Sequence, residues 1–465
     1  MLPILSIILR TDSYKLSHYK LYPDGLEYDY RYISARGGKF KKSVVYGIQI
    51  YLKRYLEGVV LTKEAIEYAK IFAEKHGEPF NYEGWMYILE NHNGKLPIEI
   101  RSIPEGTVVD IGNVICTIVN TDKKCGWLPG YLEPTLLRAV WYGTTVATYS
   151  REIISVIKDY LEETGSEGSI ESLPFRLHDF GARGVSSAES CEIGSSAHLV
   201  NSMGSDSIEG ILAANIYYGF KDENSVAAFS IPATEHSITT SEGKEGEIKV
   251  FEKVIDTYSD YHHYACVIDG YDPYNAVSNV LGKKLKEKII NGKGIFVVRP
   301  DSGVPKDMVL EIVRRLYESF GGIVNDKGYI VLHPKVSVIQ GDGVNLESIK
   351  EILENLKSNG FSTENVTFGC GGKLLQDGIS RDLMQFAMKS SAMKINGEWR
   401  GIGKDPITDQ SKKSKKGLVT TYKVDGKYID GIIGDYETDE LVTVFKDGEL
   451  FNVSSFDEVR ERAKL

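Results

Sequence analysis

Between about residues 174 and 372, the sequence repeats one pattern, in which a short apolar, β-prone run ends in small or polar residues such as Gly, Asp, Arg or His. A helix-like segment usually follows each run, and this alternation is typical of parallel βα units. Because the carboxyl ends of the strands of a closed barrel converge, we expect the polar residues that end these runs to meet in one site. The runs cover residues 175–180, 199–201, 229–231, 265–269, 295–299, 336–340 and 366–369.

The two ends of the chain have a different pattern. Segments such as Val114–Val119 are rich in β-branched residues, and Asp425-Gly426 and Asp447-Gly448 are typical of hairpin turns. We therefore expect an α/β protein, an irregular TIM-like (β/α) barrel with a second, β-rich α+β domain built from the N- and C-terminal regions. The expected bounds are 1–170 for the N-terminal part, 171–385 for the barrel, and 386–465 for the C-terminal segment that returns to the N-terminal domain.

The net charge, the hydropathy and the cysteine content of the chain indicate which classes of protein it does not resemble. The formal net charge of -10 over 465 residues argues against nucleic-acid or membrane-surface binding as the main activity. No apolar run approaches the roughly 20 residues of a membrane span. The 5 cysteines are scattered and lack Cys-x-x-Cys spacing, which fits reduced thiols. We expect a cytoplasmic protein with neither a nucleic-acid nor a membrane partner.

Two glycine-rich turns, at residues 340–343 and 369–373, each precede a helix-like segment. Glycines let backbone N–H groups approach an anion, and a helix N-terminus adds a favourable dipole. Each turn alone reads as an ordinary turn, but together with Arg381 they favour a phosphate site. The sequence lacks a Walker phosphate loop, a complete Gly-x-Gly-x-x-Gly fingerprint and a His-Glu-x-x-His motif, so ATPase motors, dinucleotide dehydrogenases and zinc proteases lose support.

Charged and aromatic residues at two other strand ends suggest a ligand that carries a heterocycle and a phosphate. Arg299 can bind phosphate or pyrophosphate and Asp301 can accept hydrogen bonds from ribose, although an ion pair that closes the loop is an equal alternative. Phe180 and Arg183 offer an aromatic face and a guanidinium for a flat ring. Taken alone, Phe180 is more typical of a core residue.

His236 ends the apolar run at residues 229–233 together with Glu235. A histidine where a buried strand meets solvent can exchange a proton or a phosphoryl group near neutral pH. The competing interpretation is that His236 caps or packs. Its position among several polar strand ends favours a role in the site.

The lysine-rich loop near residues 404–416 has positive charge that stands out in an acidic protein. Such a run is usually a solvated face. A mobile clamp for polyphosphate, with Lys404 and Lys412, is the alternative.

In this order, these motifs resemble those of the nicotinamide phosphoribosyltransferase family, over nearly the whole chain. The resemblance implies transfer of a phosphoribosyl group from 5-phosphoribosyl-1-pyrophosphate to nicotinamide, with Mg²⁺ as cofactor and ATP as co-substrate. It also implies a homodimer whose active sites lie at the subunit interface. The matching segments lie within residues 11–20, 178–187, 230–237, 271–275, 299–303, 338–344, 374–376 and 404–406.

The resemblance also implies a role for each site residue. Phe180 and the partner subunit's Tyr14 would enclose the pyridine ring. Asp206 would bind the carboxamide, with Arg183 and Arg299 lining the pocket. The implied sugar and phosphate contacts are Asp301 and Asp342 to the ribose, Gly371, Gly372 and Arg381 to the 5-phosphate, Gly341 within the substrate site, and Arg36, Lys404 and Lys412 to pyrophosphate or nucleotide.

By the same resemblance, His236 would be phosphorylated from ATP, with Glu235 and Asp272 as its neighbours. Asp206 distinguishes the two nearest activities, because a carboxylate accepts a hydrogen bond from an amide NH₂ but repels the carboxylate of nicotinate. Nicotinate phosphoribosyltransferase is therefore the alternative activity. A non-catalytic nucleotide-binding protein is the alternative from another class, and the joint presence of His236, Asp301 and Arg381 argues against it.

Overall fold

The computed structural model describes residues 6–408 and 413–465. Its chain forms two compact units. The first contains the residues up to Thr148, Ala213–Ser225 and Ile379–Lys464, and the second contains Tyr149–Leu212, Val226–Gly378 and Leu465. The bounds of 1–170, 171–385 and 386–465 expected from sequence differ from these ranges, and as domain bounds they stay a prediction.

Strands and helices alternate through the middle of the chain, the N-terminal part combines strands with helices, and strands predominate towards the C-terminal end. The strands are β1 (Leu26–Ala35), β2 (Lys42–Val44), β3 (Ile98–Ser102), β4 (Val108–Asp110), β5 (Val114–Asn120), β6 (Leu177–Asp179), β7 (Gly204–Ser205), β8 (His263–Val267), β9 (Ile295–Arg299), β10 (Gly322–Val324), β11 (Ile330–Leu332), β12 (Val336–Gln340), β13 (Val366–Cys370), β14 (Phe386–Ile395), β15 (Glu398–Gly401), β16 (Val419–Val424), β17 (Lys427–Ile432), β18 (Val442–Lys446) and β19 (Glu449–Leu450). The α-helices are α1 (Ile48–Tyr51), α2 (Lys63–His76), α3 (Tyr82–Asn91), α4 (Leu128–Tyr131), α5 (Glu133–Thr164), α6 (Ala188–His198), α7 (Ile208–Tyr217), α8 (His236–Thr239), α9 (Gly243–Tyr258), α10 (Pro273–Asn275), α11 (Lys286–Asn291), α12 (Pro305–Phe320), α13 (Leu346–Ser358), α14 (Gly372–Leu375) and α15 (Phe456–Ala463).

The second unit is built on a six-stranded parallel sheet in the order β7-β6-β13-β12-β9-β8. Single parallel bridges join Phe229 to Gly204 and Ala233 to Ala265, so that residues 229–233 link the two edge strands. The α/β class with a parallel sheet is confirmed. The carboxyl ends of all six strands lie at one edge, as the sequence pattern requires.

Helix α13 shows why these segments fold locally as predicted. Asn345 and Ser348 form a capping box at its N-terminus, which satisfies two backbone N–H groups. Gly360, with a φ of 77°, follows its C-terminal end. The apolar residues that recur on one face of the helix are buried, namely Leu346, Ile349, Leu353 and Leu356.

Two predicted strands are wrong or incomplete. Leu199–Asn201 is the turn after α6, and the strand expected there is the two-residue β7 at Gly204–Ser205. The run at residues 229–231 forms only isolated bridges. Short apolar runs do not distinguish a helix end from a strand, because the period cannot be read over three residues.

The first unit is β-rich, and its main sheet contains strands from both ends of the chain. The seven strands are ordered β15-β14-β1-β5-β3-β18-β19, and β14 and β18 pair with β1 and β3. The predicted Asp-Gly turns close the hairpins β16–β17 and β18–β19. Asp425, Gly426, Asp447 and Gly448 all have positive φ, as a type I′ turn requires.

No helix in the described ranges is long and apolar enough to cross a membrane.

Candidate active site

The strand ends of the second unit carry most of the predicted site residues. Phe180 follows β6, Asp206 follows β7, Arg299 ends β9, and Gly341 and Gly371 follow β12 and β13. Since these strands are parallel neighbours, the five residues lie along one edge of the sheet.

Phe180 and Arg299 contact each other across the sheet edge. The guanidinium carbon of Arg299 lies 5.3 Å from the centroid of the Phe180 ring. Gly369 makes room for this ring, because a Cβ at that position would overlap Phe180 Cε2. An aromatic face and a guanidinium are thus held together in a partly buried position, where they can bind a planar heterocycle.

The Arg299 guanidinium is only partly satisfied by the protein. Its Nη2 donates a hydrogen bond to Asp301 Oδ1 at 3.2 Å. Its Nε is buried and has no hydrogen-bond partner among the described residues. A Cβ on Gly341 would lie 3.2 Å from Arg299 Nε, so the glycine allows the close approach of this loop to the guanidinium. A buried donor without a partner is costly, and an anionic ligand would satisfy it.

His236 begins α8 and is hydrogen-bonded to a residue that sequence reasoning did not single out. Its Nε2 lies 3.0 Å from Asp269 Oδ1. The other oxygen of Asp269 accepts the backbone N–H of Asp301 at 3.1 Å. The His236 side chain is 47% exposed, whereas Asp269 is 1% exposed. The only available signal for Asp269 was its position at the end of the run at residues 265–269.

Glu235 and Asp272, the expected neighbours of His236, have other hydrogen-bond partners. Glu235 accepts the hydroxyl of Ser237. Asp272 Oδ1 accepts the backbone N–H groups of Tyr274 and Asn275, both at 3.0 Å, and so caps α10. Within the described ranges, the side-chain partner of His236 is Asp269 in place of either expected residue.

Asp206 lies just before α7 and is exposed. Its Oδ1 accepts the Ser230 hydroxyl at 2.5 Å, and its backbone N–H donates to Asp179 O at 2.9 Å. The buried Asp179 accepts the backbone N–H of Gly181 and the hydroxyl of Ser195. These hydrogen bonds fix both the carboxylate of Asp206 and the loop that carries Phe180.

The glycine-rich turn after β13 packs closely against the loop after β6. A Cβ on Gly184 would lie 2.8 Å from Gly372 Cα, so only glycine allows this approach of the two backbones. Arg183, which precedes Gly184 in the loop after β6, is exposed. Asp342 is also exposed, and its backbone carbonyl accepts Gln340 Nε2 at 2.8 Å.

A cavity of about 1050 Å³ runs through the second unit and includes this sheet edge. Phe180, Asp206 and Arg299 line it, and Ala265, Val297 and Ile339 supply a buried apolar wall. The cavity is large enough for a substrate of several rings or phosphates, and polar side chains that could orient a ligand, among them Asp206, Ser230 and Arg299, line it together with the apolar wall.

Two partly buried histidines, His178 and His263, line this cavity in their neutral form. Burial lowers the pKa of His178, although the negative charge of Asp206 opposes the change. Burial, and then the charge of His262, lower the pKa of His263 to about 4. These imidazoles are therefore uncharged at neutral pH, and the cation of the cavity that faces Phe180 is Arg299.

Four predicted residues belong to the first unit. Tyr14 is 53% exposed, and its ring packs edge-on against His18 with centroids 4.8 Å apart. Arg36 donates from Nε to Gln385 O at 3.2 Å, and the exposed Arg381 forms an ion pair with Asp382 at 3.2 Å. The fourth is Lys404, which is exposed. Lys412 lies outside the described residues.

Sequence comparison with known proteins shows to which family this chain belongs. The sequence profile of the nicotinate phosphoribosyltransferase (NAPRTase) family matches residues 175–449, and that of the nicotinamide phosphoribosyltransferase N-terminal domain matches residues 6–100. A nicotinamide phosphoribosyltransferase of Xanthomonas campestris pv. campestris is 42% identical and is covered over 98% of both chains. The chain belongs to the nicotinamide phosphoribosyltransferase family.

A more distant relative and a solved structure are also similar to this chain over nearly its whole length. The nicotinamide phosphoribosyltransferase of Acinetobacter baylyi is 31% identical over 97% of this chain and 95% of its own length. The crystal structure of nicotinate-nucleotide pyrophosphorylase from Pyrococcus furiosus is 16% identical and matches with a TM-score of 0.62 over 98% of this chain and 94% of that chain. That likeness shows a shared fold.

Proposed function

We propose that the chain transfers the phosphoribosyl group of 5-phosphoribosyl-1-pyrophosphate to the ring nitrogen of nicotinamide. The chain is a pentosyltransferase of NAD biosynthesis, as its family membership shows. The observation that carries the assignment to this site is the grouping of Phe180, Arg299 and Asp301 at the sheet edge, with the buried Arg299 Nε without a partner. Their chemistry matches a pyridine ring, a ribose and a phosphate.

In the proposed step, the bond from ribose C1 to pyrophosphate breaks and the bond from C1 to the pyridine nitrogen forms. The electron pair of the broken bond leaves with pyrophosphate. Phe180 and the partner subunit's Tyr14 hold the ring, and Asp206 accepts a hydrogen bond from its carboxamide. Asp301 and Asp342 bind the ribose, which orients C1 toward the nitrogen. Arg299 and Arg183 line the ring pocket.

The phosphate groups require several cations or backbone donors. Gly341, Gly371, Gly372 and Arg381 are proposed to bind the 5-phosphate, and Arg36, Lys404 and Lys412 the leaving pyrophosphate or the nucleotide. Mg²⁺ takes oxygen ligands and commonly uses one or two carboxylates together with substrate phosphates. The carboxylates of Asp301 and Asp342 fit that donor set. When bound, Mg²⁺ would neutralise part of the pyrophosphate charge.

His236 is proposed to accept the γ-phosphoryl group of ATP. With Nε2–H donating to Asp269, the Nδ1 lone pair of the exposed ring is available for attack on phosphorus. A bond from Nδ1 to phosphorus forms while the bond from phosphorus to the ADP oxygen breaks, and ADP leaves with the electron pair. Glu235 and Asp272 are proposed to help bind the nucleotide or its Mg²⁺.

The active enzyme is proposed to be a cytoplasmic homodimer with shared sites, built on an irregular (β/α) barrel. Supporting the dimer, Ile208, Leu212 and Ile216 recur at every fourth residue of α7 and are 68%, 51% and 68% exposed. One apolar helix face of this kind is typical of a surface covered by another chain.

Product analysis tests the proposed function. The purified full-length chain is incubated with 5-phosphoribosyl-1-pyrophosphate, Mg²⁺ and ATP, with nicotinamide or nicotinate in separate reactions. Nicotinamide mononucleotide and pyrophosphate in equal amounts are the expected products. Nicotinate mononucleotide in place of the amide product would assign the alternative activity, and no nucleotide from either pyridine would refute transfer.

A further inference from the structure

A second cluster of ligand-type side chains lies in the first unit, apart in sequence from every proposed substrate residue. His92 follows α3, and Asp122 and Cys125 lie at the two ends of one helical turn after β5. One ligand atom from each residue lies within 4.8 Å of the other two. A search of residues 6–408 and 413–465 for three or more His, Cys, Asp or Glu side chains with metal-ligand spacing finds these three residues.

Hydrogen bonds hold the Asp122 carboxylate in place. Its Oδ1 accepts the backbone N–H of Lys124 at 2.8 Å. Its Oδ2 accepts the Tyr87 hydroxyl at 2.8 Å and lies 2.8 Å from His92 Nε2. The Lys124 ammonium lies 4.6 Å from the centroid of the Tyr87 ring. Partners of this kind orient metal-ligating carboxylates in metalloproteins.

The Cys125 thiol is fully buried and differs from the other cysteines. The four remaining thiols each hydrogen-bond to a protein oxygen, whereas Cys125 has no such partner in the described part of the chain. A buried thiol close to a carboxylate and an imidazole is a donor set that a bound cation would stabilise.

We propose that His92, Asp122 and Cys125 bind one divalent transition-metal ion, with Zn²⁺ as the preferred species. Nitrogen, oxygen and sulfur donors are the ligands of Zn²⁺, whereas Mg²⁺ prefers oxygen alone, so the site is chemically distinct from that of the reaction. His92 and Asp122 are 25% and 19% exposed, which leaves a fourth position open to water.

Binding requires a defined proton balance. The Cys125 thiol loses its proton to solvent and a sulfur–metal bond forms. His92 binds as the imidazole with its proton on Nδ1, and its Nε2 exchanges the hydrogen bond to Asp122 for the metal. The thiol proton is therefore released for each ion bound.

Titration of the metal-free full-length chain with Co²⁺ tests this site, because a cobalt–thiolate bond has a charge-transfer band in the near ultraviolet. We expect one Co²⁺ for each chain, release of protons on binding, displacement of Co²⁺ by Zn²⁺, and no displacement by excess Mg²⁺. In Cys125→Ser the band should be lost. In the matched control Cys116→Ser, which changes another fully buried cysteine, the band should be unchanged.

A second variant covers the case in which Cys125→Ser fails to fold. His92→Gln changes a partly exposed side chain and should raise the Co²⁺ Kd at least about tenfold, since even loss of an outer partner has that effect. The proposal is wrong if the wild-type chain gives no near-ultraviolet band. It is equally wrong if the band is retained in Cys125→Ser, or if folded His92→Gln binds Co²⁺ as tightly as the wild type.

Discussion

Asp269 accepts the His236 Nε2–H with one carboxylate oxygen, at 3.0 Å, and the backbone N–H of Asp301 with the other, at 3.1 Å. A buried carboxylate therefore joins an exposed histidine to the loop proposed to bind ribose. Because Nε2 is hydrogen-bonded to Asp269, Nδ1 is the ring nitrogen left for the proposed phosphorylation of His236. The geometry couples the proposed phosphate acceptor to the proposed transfer site through one residue.

His236→Ala is expected to retain part of the transfer activity and to lose stimulation by ATP, because the acceptor nitrogen is removed. Asp269→Asn should reduce phosphorylation of His236 while leaving the acceptor in place. Initial rates with and without ATP, together with acid-labile phosphate from labelled ATP, measure both effects. His76→Ala, which changes an exposed histidine of α2, is the control. Acid-labile phosphate that persists in His236→Ala would place the acceptor elsewhere.

Asp206→Asn is expected to reduce discrimination against nicotinate about tenfold, because an amide no longer repels the substrate carboxylate. Ser230→Ala should have a smaller effect in the same direction, since its hydroxyl orients Asp206. The ratio of kcat/KM for the two pyridines measures selectivity. Asp260→Asn, at a carboxylate that is 78% exposed, serves as the control. Unchanged selectivity in Asp206→Asn would rule out its contact with the amide.

Gly369→Ala is expected to raise the KM for nicotinamide by roughly tenfold, because the pyridine ring would lose its stacking contact with Phe180. The new Cβ would overlap the Phe180 ring and displace it from Arg299. Gly401→Ala is a matched control in a strand, because the nearest atom to its Cβ is 3.5 Å away. A KM in Gly369→Ala equal to that of the wild type would contradict the role of Phe180.

The fully buried His198 is expected to make stability depend on pH. Burial lowers its pKa from 6.5 to about 4, and its ring nitrogens contact Ser150 Oγ at 2.8 Å and Gly204 O at 3.3 Å. Because the folded pKa is below the unfolded value, the stabilisation is present above pH 6.5 and is lost as pH falls toward 4.

Between pH 6.5 and pH 4, the unfolding free energy of His198→Gln should decrease by a few kcal/mol less than that of the wild type. Urea unfolding at a series of pH values measures the difference, with His76→Gln as the exposed control. Parallel pH profiles for the wild type and His198→Gln would show that His198 does not titrate in this range.

Sequence was most informative where local chemistry decides the structure. The Asp-Gly turns at Asp425 and Asp447 and the cap at Asn345 depend on side chains that favour one backbone conformation, and these elements were predictable. Strand β7 was missed because two residues carry no period. Asp269 was missed for another reason: its role depends on the distance to His236, which lies 33 positions earlier in the chain, and only the folded sheet brings the two together.

Competition between the two pyridines tests the central claim most directly. Equal concentrations of nicotinamide and nicotinate are mixed with 5-phosphoribosyl-1-pyrophosphate, Mg²⁺, ATP and the full-length chain, and both mononucleotides are quantified by mass spectrometry at early times. We expect nicotinamide mononucleotide as the main product. A majority of nicotinate mononucleotide, or no mononucleotide at all, would contradict the assignment.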